Sequence, residues 1–102
     1  MTPDKSNRYL TVRILYHRPE YKKNILDAVR KVSEAAAQFN GLVEIGAWFD
    51  KENDCIINMS LWESEKDAVK ARAEMHSAFA DIPWNEWERQ PAENFVHLVS
   101  LV

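Results

Sequence analysis

The chain has 102 residues, 46% of them hydrophobic and 28% charged, with a formal net charge of −3. That size holds one domain with one core and hides roughly two thirds of the unfolded chain's surface. Acids and bases are mixed without a basic stripe, so nucleic acid is not an expected partner, and no apolar run approaches the ~20 residues that span a bilayer.

The polar stretch 1–8 reads as a lead-in rather than a signal peptide, residues 9–102 as a single domain, and the protein as cytoplasmic. Tyr9 to Tyr16 is rich in β-branched and aromatic residues and predicts the first strand. Its row Leu10, Val12, Ile14 and Tyr16 is apolar or aromatic, while Thr11 and Arg13 occupy the opposite row. Pro19 suits the first turn of a helix. Tyr21, Ile25, Ala28, Val29, Val32, Ala35, Ala36 and Phe39 then recur at three- and four-residue steps, and Asn40-Gly41 supplies a left-handed stop.

Leu42 to Phe49 predicts the second strand, Asp50 to Asp54 a turn, and Cys55 to Trp62 the third strand. Matching the apolar rows pairs Phe49 with Cys55, Ala47 with Ile57 and Ile45 with Met59, which sets Gly46 opposite Asn58. Cys55, the one cysteine, can form no internal disulfide and reads as a small core residue. Ser64 then caps a second helix, expected over about Glu65–Ala80, with Asp67 as the acidic half of a capping box. Its inner stripe is Ala68, Val69, Arg72, Met75, His76 and Phe79, with two cationic groups one turn apart. The proline-bounded run Ile82 to Pro91 predicts an irregular loop or helical turn that lays Trp84, with Trp87 beside it, over an opening. Phe95 to Val102 predicts the last strand.

The order strand, helix, strand, strand, helix, strand is the split β-α-β pattern of a ferredoxin-like α+β fold: a four-stranded antiparallel sheet with two helices on one face. The other sheet face is also apolar, so a second copy is expected to cover it as a homodimeric barrel. No metal-ligand spacing joins His17, His76 and His97. There is no glycine-rich phosphate loop, since Gly41 and Gly46 are the only glycines. Metal, nucleotide and triad-hydrolase chemistry are disfavoured.

Asn58 and Trp62 project from one row of the third strand into the stretch Trp62-Glu63-Ser64-Glu65. The fold order together with this Asn-x-x-x-Trp-Glu-Ser-Glu run resembles the antibiotic biosynthesis monooxygenase family of the dimeric α/β-barrel superfamily, over residues 9–102. The resemblance implies a cofactor-independent enzyme that oxidises a phenol-, anthrone- or hydroquinone-like aromatic with dioxygen. Asn58 would stabilise charge on the substrate's oxygen. Trp62 would offer its indole N–H and flat face, and His76, a residue type suited to proton transfer near neutral pH, would assist.

On the same reading Trp84, Trp48, Ser60 and Phe79 would bind substrate, together with Arg72, which is inferred from its place on the second helix and matches no motif of the family, whose pocket arginine has no secure counterpart here. Patterning alone would lay the helices on the more apolar row Val43, Ile45, Ala47, Phe49, Cys55, Ile57, Met59 and Leu61. The resemblance instead gives that row to the partner and turns Gly46, Trp48, Asn58, Ser60 and Trp62 toward the helices, since Arg72 and His76 would otherwise face only aliphatic groups. Two departures stand out. A tyrosine of the quinone-forming members is matched by Ala68, and the tryptophan and histidine of the haem-degrading members fall at Ala71 and near Asp81. A non-catalytic ligand-binding barrel and a haem-binding relative are the alternatives.

Overall fold

The computed structural model describes residues 8–101. Most of the polar lead-in, and Val102 at the end of the expected last strand, lie outside the described residues. The elements are β1 (Tyr9–Leu15), a 3-10 turn (Pro19–Tyr21), α1 (Lys22–Ala36), β2 (Leu42–Asp50), β3 (Cys55–Trp62), α2 (Glu65–Ala78), a short α3 (Trp84–Trp87) and β4 (Glu93–Val99). The first helix stops at Ala36, short of Phe39, and a turn ending at Gly41 (φ 87°) leads into β2. The last strand begins two residues earlier than expected, because Glu93 and Asn94 pair with Ile14 and Arg13.

The strands lie in the order β2-β3-β1-β4, and every neighbouring pair is antiparallel. This is the ferredoxin-like α+β sheet, with α1 and α2 on one face. The β2–β3 register differs by one residue from the expected pairing. Asp50 pairs with Cys55, so Phe49 meets Ile56, Ala47 meets Asn58 and Ile45 meets Ser60. The cause is local. Asp50 belongs to the strand, and its carboxylate accepts from the backbone N–H groups of Glu52 and Asn53 and from the Asn53 amide. The turn therefore spans Lys51 to Asp54, with Asp54 in the left-handed region (φ 51°).

A one-residue slip exchanges the two faces of a strand. Ile45, Ala47 and Phe49 lie on the helix side, in line with Asn58, Ser60 and Ile56. Gly46 and Trp48 turn to the outer side, opposite Met59 and Ile57. The Trp48 ring covers Gly46 so closely that a Cβ there would meet it at 2.7 Å. Val69, expected on the inner stripe of α2, is 44% exposed, and Ala71 is buried in its place.

The hydrophobic core is split. One cluster joins Leu15, Ile25, Val29 and Ile56, with Trp84 and Trp87 packed against it. The other joins Trp62, Ala68 and Ala71, with Tyr9, Phe39, Leu42 and Met75 around it. Ser64 caps α2, accepting from Asp67 N and donating to the Asp67 carboxylate. That carboxylate packs on Gly41, where a Cβ would sit 2.2 Å from Asp67 Oδ2. Joining β3, α2 and the turn before β2 in this way sets how α2 leans over the sheet.

Candidate active site

Between the two clusters lies a cavity of about 520 Å³, within the range of small-molecule sites. Thr11, Arg13, Asn58, Ser60 and Trp62 form its floor, and Val32, Arg72, Met75, His76, Phe79 and Trp84 its walls. Of the residues singled out in the sequence, Asn58, Trp62, His76, Arg72, Trp84, Ser60 and Phe79 therefore meet in one space. Trp48 does not: it lies on the outer sheet face, 54% exposed. Arg72 and His76 line the cavity while remaining exposed.

Trp62 is buried, and its indole N–H donates to Ser60 Oγ at 2.9 Å. Ser60 Oγ is in turn hydrogen-bonded to Thr11 Oγ1 across the β1–β3 pair. The expectation that Trp62 offers its N–H to substrate is thus corrected: that proton is committed within the floor. The polar group it supports is a serine–threonine hydroxyl pair.

Arg13 was read only as a polar residue of β1, yet it stands directly opposite Asn58. Its guanidinium lies 4.8 Å from the centre of the Trp84 ring, and Nη2 is 4.0 Å from Glu88 Oε1. Glu88 is a buried carboxylate, 7% exposed. Burial pushes the Glu88 carboxyl up from its ordinary value, with the Arg13 charge pulling the other way. Burial likewise lowers the Arg13 guanidinium, opposed by Glu88. Desolvation outweighs mutual attraction in both groups, as a contact at the outer limit of ion pairing implies. Arg13 Nε and Asn58 Oδ1 are buried and have no hydrogen-bond partner. Periodicity could not reveal Arg13, because a polar residue on a strand looks the same whether it faces water or a cavity, nor Glu88, which follows the short helix outside any strand and makes only an isolated bridge with His17.

The short helix that presents Trp84 is held from behind. Arg18 N donates to Trp87 O at 2.7 Å and Arg89 N to Tyr16 O at 2.9 Å. The Arg89 guanidinium reaches the carbonyl oxygens of His17, Asp54 and Asn53. Beneath it His17 is buried, with Nε2 3.5 Å from Asp54 Oδ1 and the ring against Phe49. Among the described residues, no three His, Cys, Asp or Glu side chains are grouped to hold a metal ion, and no helix is long and apolar enough to cross a membrane.

No family model matches the sequence, and no curated protein matches it. Solved structures do. A conserved protein from Methanosarcina mazei Go1 superposes with a TM-score of 0.81 at 12% identity, covering 94% of this chain and 96% of that one. A protein from Nitrosomonas europaea, provisionally named an antibiotic biosynthesis monooxygenase, gives 0.75 at 12% identity, covering 96% and 94%. A further structure named antibiotic biosynthesis monooxygenase gives 0.75 at 14% identity, covering 90% and 98%. The chain has the fold of these proteins along nearly its whole length.

Proposed function

We propose that this chain is a cofactor-independent monooxygenase of the antibiotic biosynthesis type, acting on a small electron-rich aromatic. One observation carries the reading. The Asn-x-x-x-Trp pair and, from the other layer, Arg72 and His76 border a single cavity of about 520 Å³, and the fold is that of structures bearing this name.

The reaction takes its electrons from the substrate. A ring methylene flanked by phenolic rings loses a proton, with His76 as the candidate base, and the carbanion passes an electron to dioxygen. Recombination forms a carbon–oxygen bond and a hydroperoxide. Loss of water then leaves a ring carbonyl, so CH2 and O2 become C=O and H2O; a hydroquinone, which has no ring methylene, would instead take the oxygen at a ring C–H and leave as the hydroxyquinone with one water. Asn58, through its amide N–H, steadies the oxygen on which negative charge is spread. Trp62, with its N–H held by Ser60, serves as a flat wall, and Trp84 closes the ring against it.

The outer sheet face supports the dimeric part of the reading. Trp48, Phe95 and Leu98 are 54%, 43% and 38% exposed there, beside the row Leu10, Val12 and Ile14. A face this apolar, on the β2–β3 hairpin and the β1–β4 pair alike, fits a second copy.

Oxygen uptake with a panel of anthrones and hydroquinones tests the activity, using 18O2 to place one labelled atom in the product. Asn58→Leu should lower turnover roughly 10²-fold, as loss of one oxyanion donor does. No uptake with any member of the panel overturns the reading. Unchanged uptake in Asn58→Ala with Trp62→Phe removes the residue assignment. The second reading, a non-catalytic ligand-binding barrel, is favoured by Ala68, which stands where the quinone-forming members have tyrosine. Thermal stabilisation by these compounds without turnover would select it.

A further inference from the structure

The geometry points to two polar stations on the cavity floor that select an aromatic carrying oxygens on opposite sides of a ring, one of them a free hydroxyl. The inference names the substrate class of the site proposed above and rests on that cavity being where substrate binds. The first station is Arg13 with Asn58. They are direct partners across β1 and β3, so their Cβ atoms stand roughly 5 Å apart. Glu88 Oε1 lies 4.0 Å from Arg13 Nη2, too far for a hydrogen bond, and the Trp84 ring centre lies 4.8 Å from the guanidinium carbon. Arg13 Nε is an unpartnered donor and Asn58 Oδ1 an unpartnered acceptor. A hydroxyl satisfies both at once, accepting from Nε and donating to Oδ1. A carbonyl or ether oxygen satisfies only the first.

The second station is Ser60 with Thr11, also direct partners, two residues along each strand and thus about 7 Å away. Ser60 Oγ accepts the Trp62 N–H and shares one hydrogen with Thr11 Oγ1. Two hydroxyl groups bring two hydrogens, and their mutual bond uses one. The other remains to donate into the cavity. This station therefore accepts a carbonyl, ether or hydroxyl oxygen, while the first demands a hydroxyl. Between them Val32, Met75, Phe79 and Trp84 offer only apolar or aromatic surface, the lining an aromatic ring needs. Arg72 and His76 are exposed and belong to neither station.

Anaerobic titration followed by tryptophan fluorescence tests this without any turnover. The ligands are 1,4-dihydroxynaphthalene, 4-methoxy-1-naphthol and 1,4-dimethoxynaphthalene. The first two should bind within about threefold of each other and the dimethyl ether about tenfold more weakly or worse, because it leaves Asn58 Oδ1 buried and unmet. Asn58→Leu should remove that discrimination. So should Arg13→Met combined with Glu88→Leu, which strands no buried carboxylate; circular dichroism checks that each variant is folded. Equal binding of all three ligands to the wild type, or binding of none, overturns the inference. So does full discrimination in a folded variant. Selective binding without oxygen uptake would refute the monooxygenase reading and uphold this one; uptake with no selectivity would do the reverse.

Discussion

Trp62 donates its indole N–H to Ser60, two residues back on the same strand, at 2.9 Å. The tryptophan is 1% exposed, and this part-buried bond to a cavity-floor serine holds the ring in its plane. Trp62→Phe should keep most of the packing but lose the bond, costing about 1–3 kcal/mol in urea unfolding. If Trp62 is a wall, turnover should fall less than tenfold, well short of the Asn58→Leu loss of roughly 10².

Arg13 and Glu88 form a half-buried pair, with side chains 37% and 6% exposed. Arg13→Met alone leaves the Glu88 carboxylate buried without its counter-charge. The expected cost is about 1–3 kcal/mol, below the ~3–5 kcal/mol of a fully buried pair because water still reaches Arg13. Adding Glu88→Leu should restore most of it. A double-mutant cycle in urea measures the coupling.

His17 makes stability depend on pH. Burial lowers its pKa most; the Asp54 carboxylate works against this, while Arg89 and Lys22 add to it. A histidine lowered on folding contributes stability that is present above its unfolded pKa of about 6.5 and is lost as pH falls through the folded value. Urea midpoints for wild type and His17→Gln should therefore converge as pH drops from 7.5 to 5. Parallel lines would show that His17 does not drive the trend.

The Ser64 cap and Gly41 act on the same joint. Ser64→Ala should cost about 1 kcal/mol, near 4–8 °C in Tm for a domain of this size. Gly41→Ala should cost more, since Gly41 holds φ 87° and a Cβ would strike the Asp67 carboxylate. Thermal melts of the two variants rank them.

Light scattering at micromolar concentration should give twice the 11.9 kDa chain mass if the outer sheet face pairs two copies. Leu98→Glu should return the single-chain mass while leaving the circular dichroism spectrum intact. A wild-type monomer would remove the barrel.

The element order was legible because alternation and 3.6-residue steps report local structure well: β3 ends where Cys55 and Trp62 predict. What failed was the alignment of β2 with β3. Matching apolar row to apolar row assumes that each sheet face has one character. Here Ile45, Ala47 and Phe49 share a face with Asn58 and Ser60, because a cavity floor mixes the two. Trp48 went to the wrong side for that reason, while Asn58 and Trp62 did not. Their side followed instead from the family resemblance, which turns them toward the helices. Arg13 escaped notice through the same assumption, that a polar residue in an apolar strand faces water.

The segment bearing Trp84 is tethered unequally. Its rear end is tied to the strand layer through Arg18, Tyr16 and the three carbonyls that Arg89 grips. The backbone bonds of its front end, Ile82 N to Phe79 O and Trp84 N to Ile82 O, stay within the chain leaving α2. Among the described residues the Ala80–Pro83 side therefore has no backbone bond to the sheet to give up, and only the Trp84 side chain, through Arg13 and the first core cluster, holds it there. If the cavity takes a ligand, crowding near Phe79 should slow its escape more than any change behind Glu88.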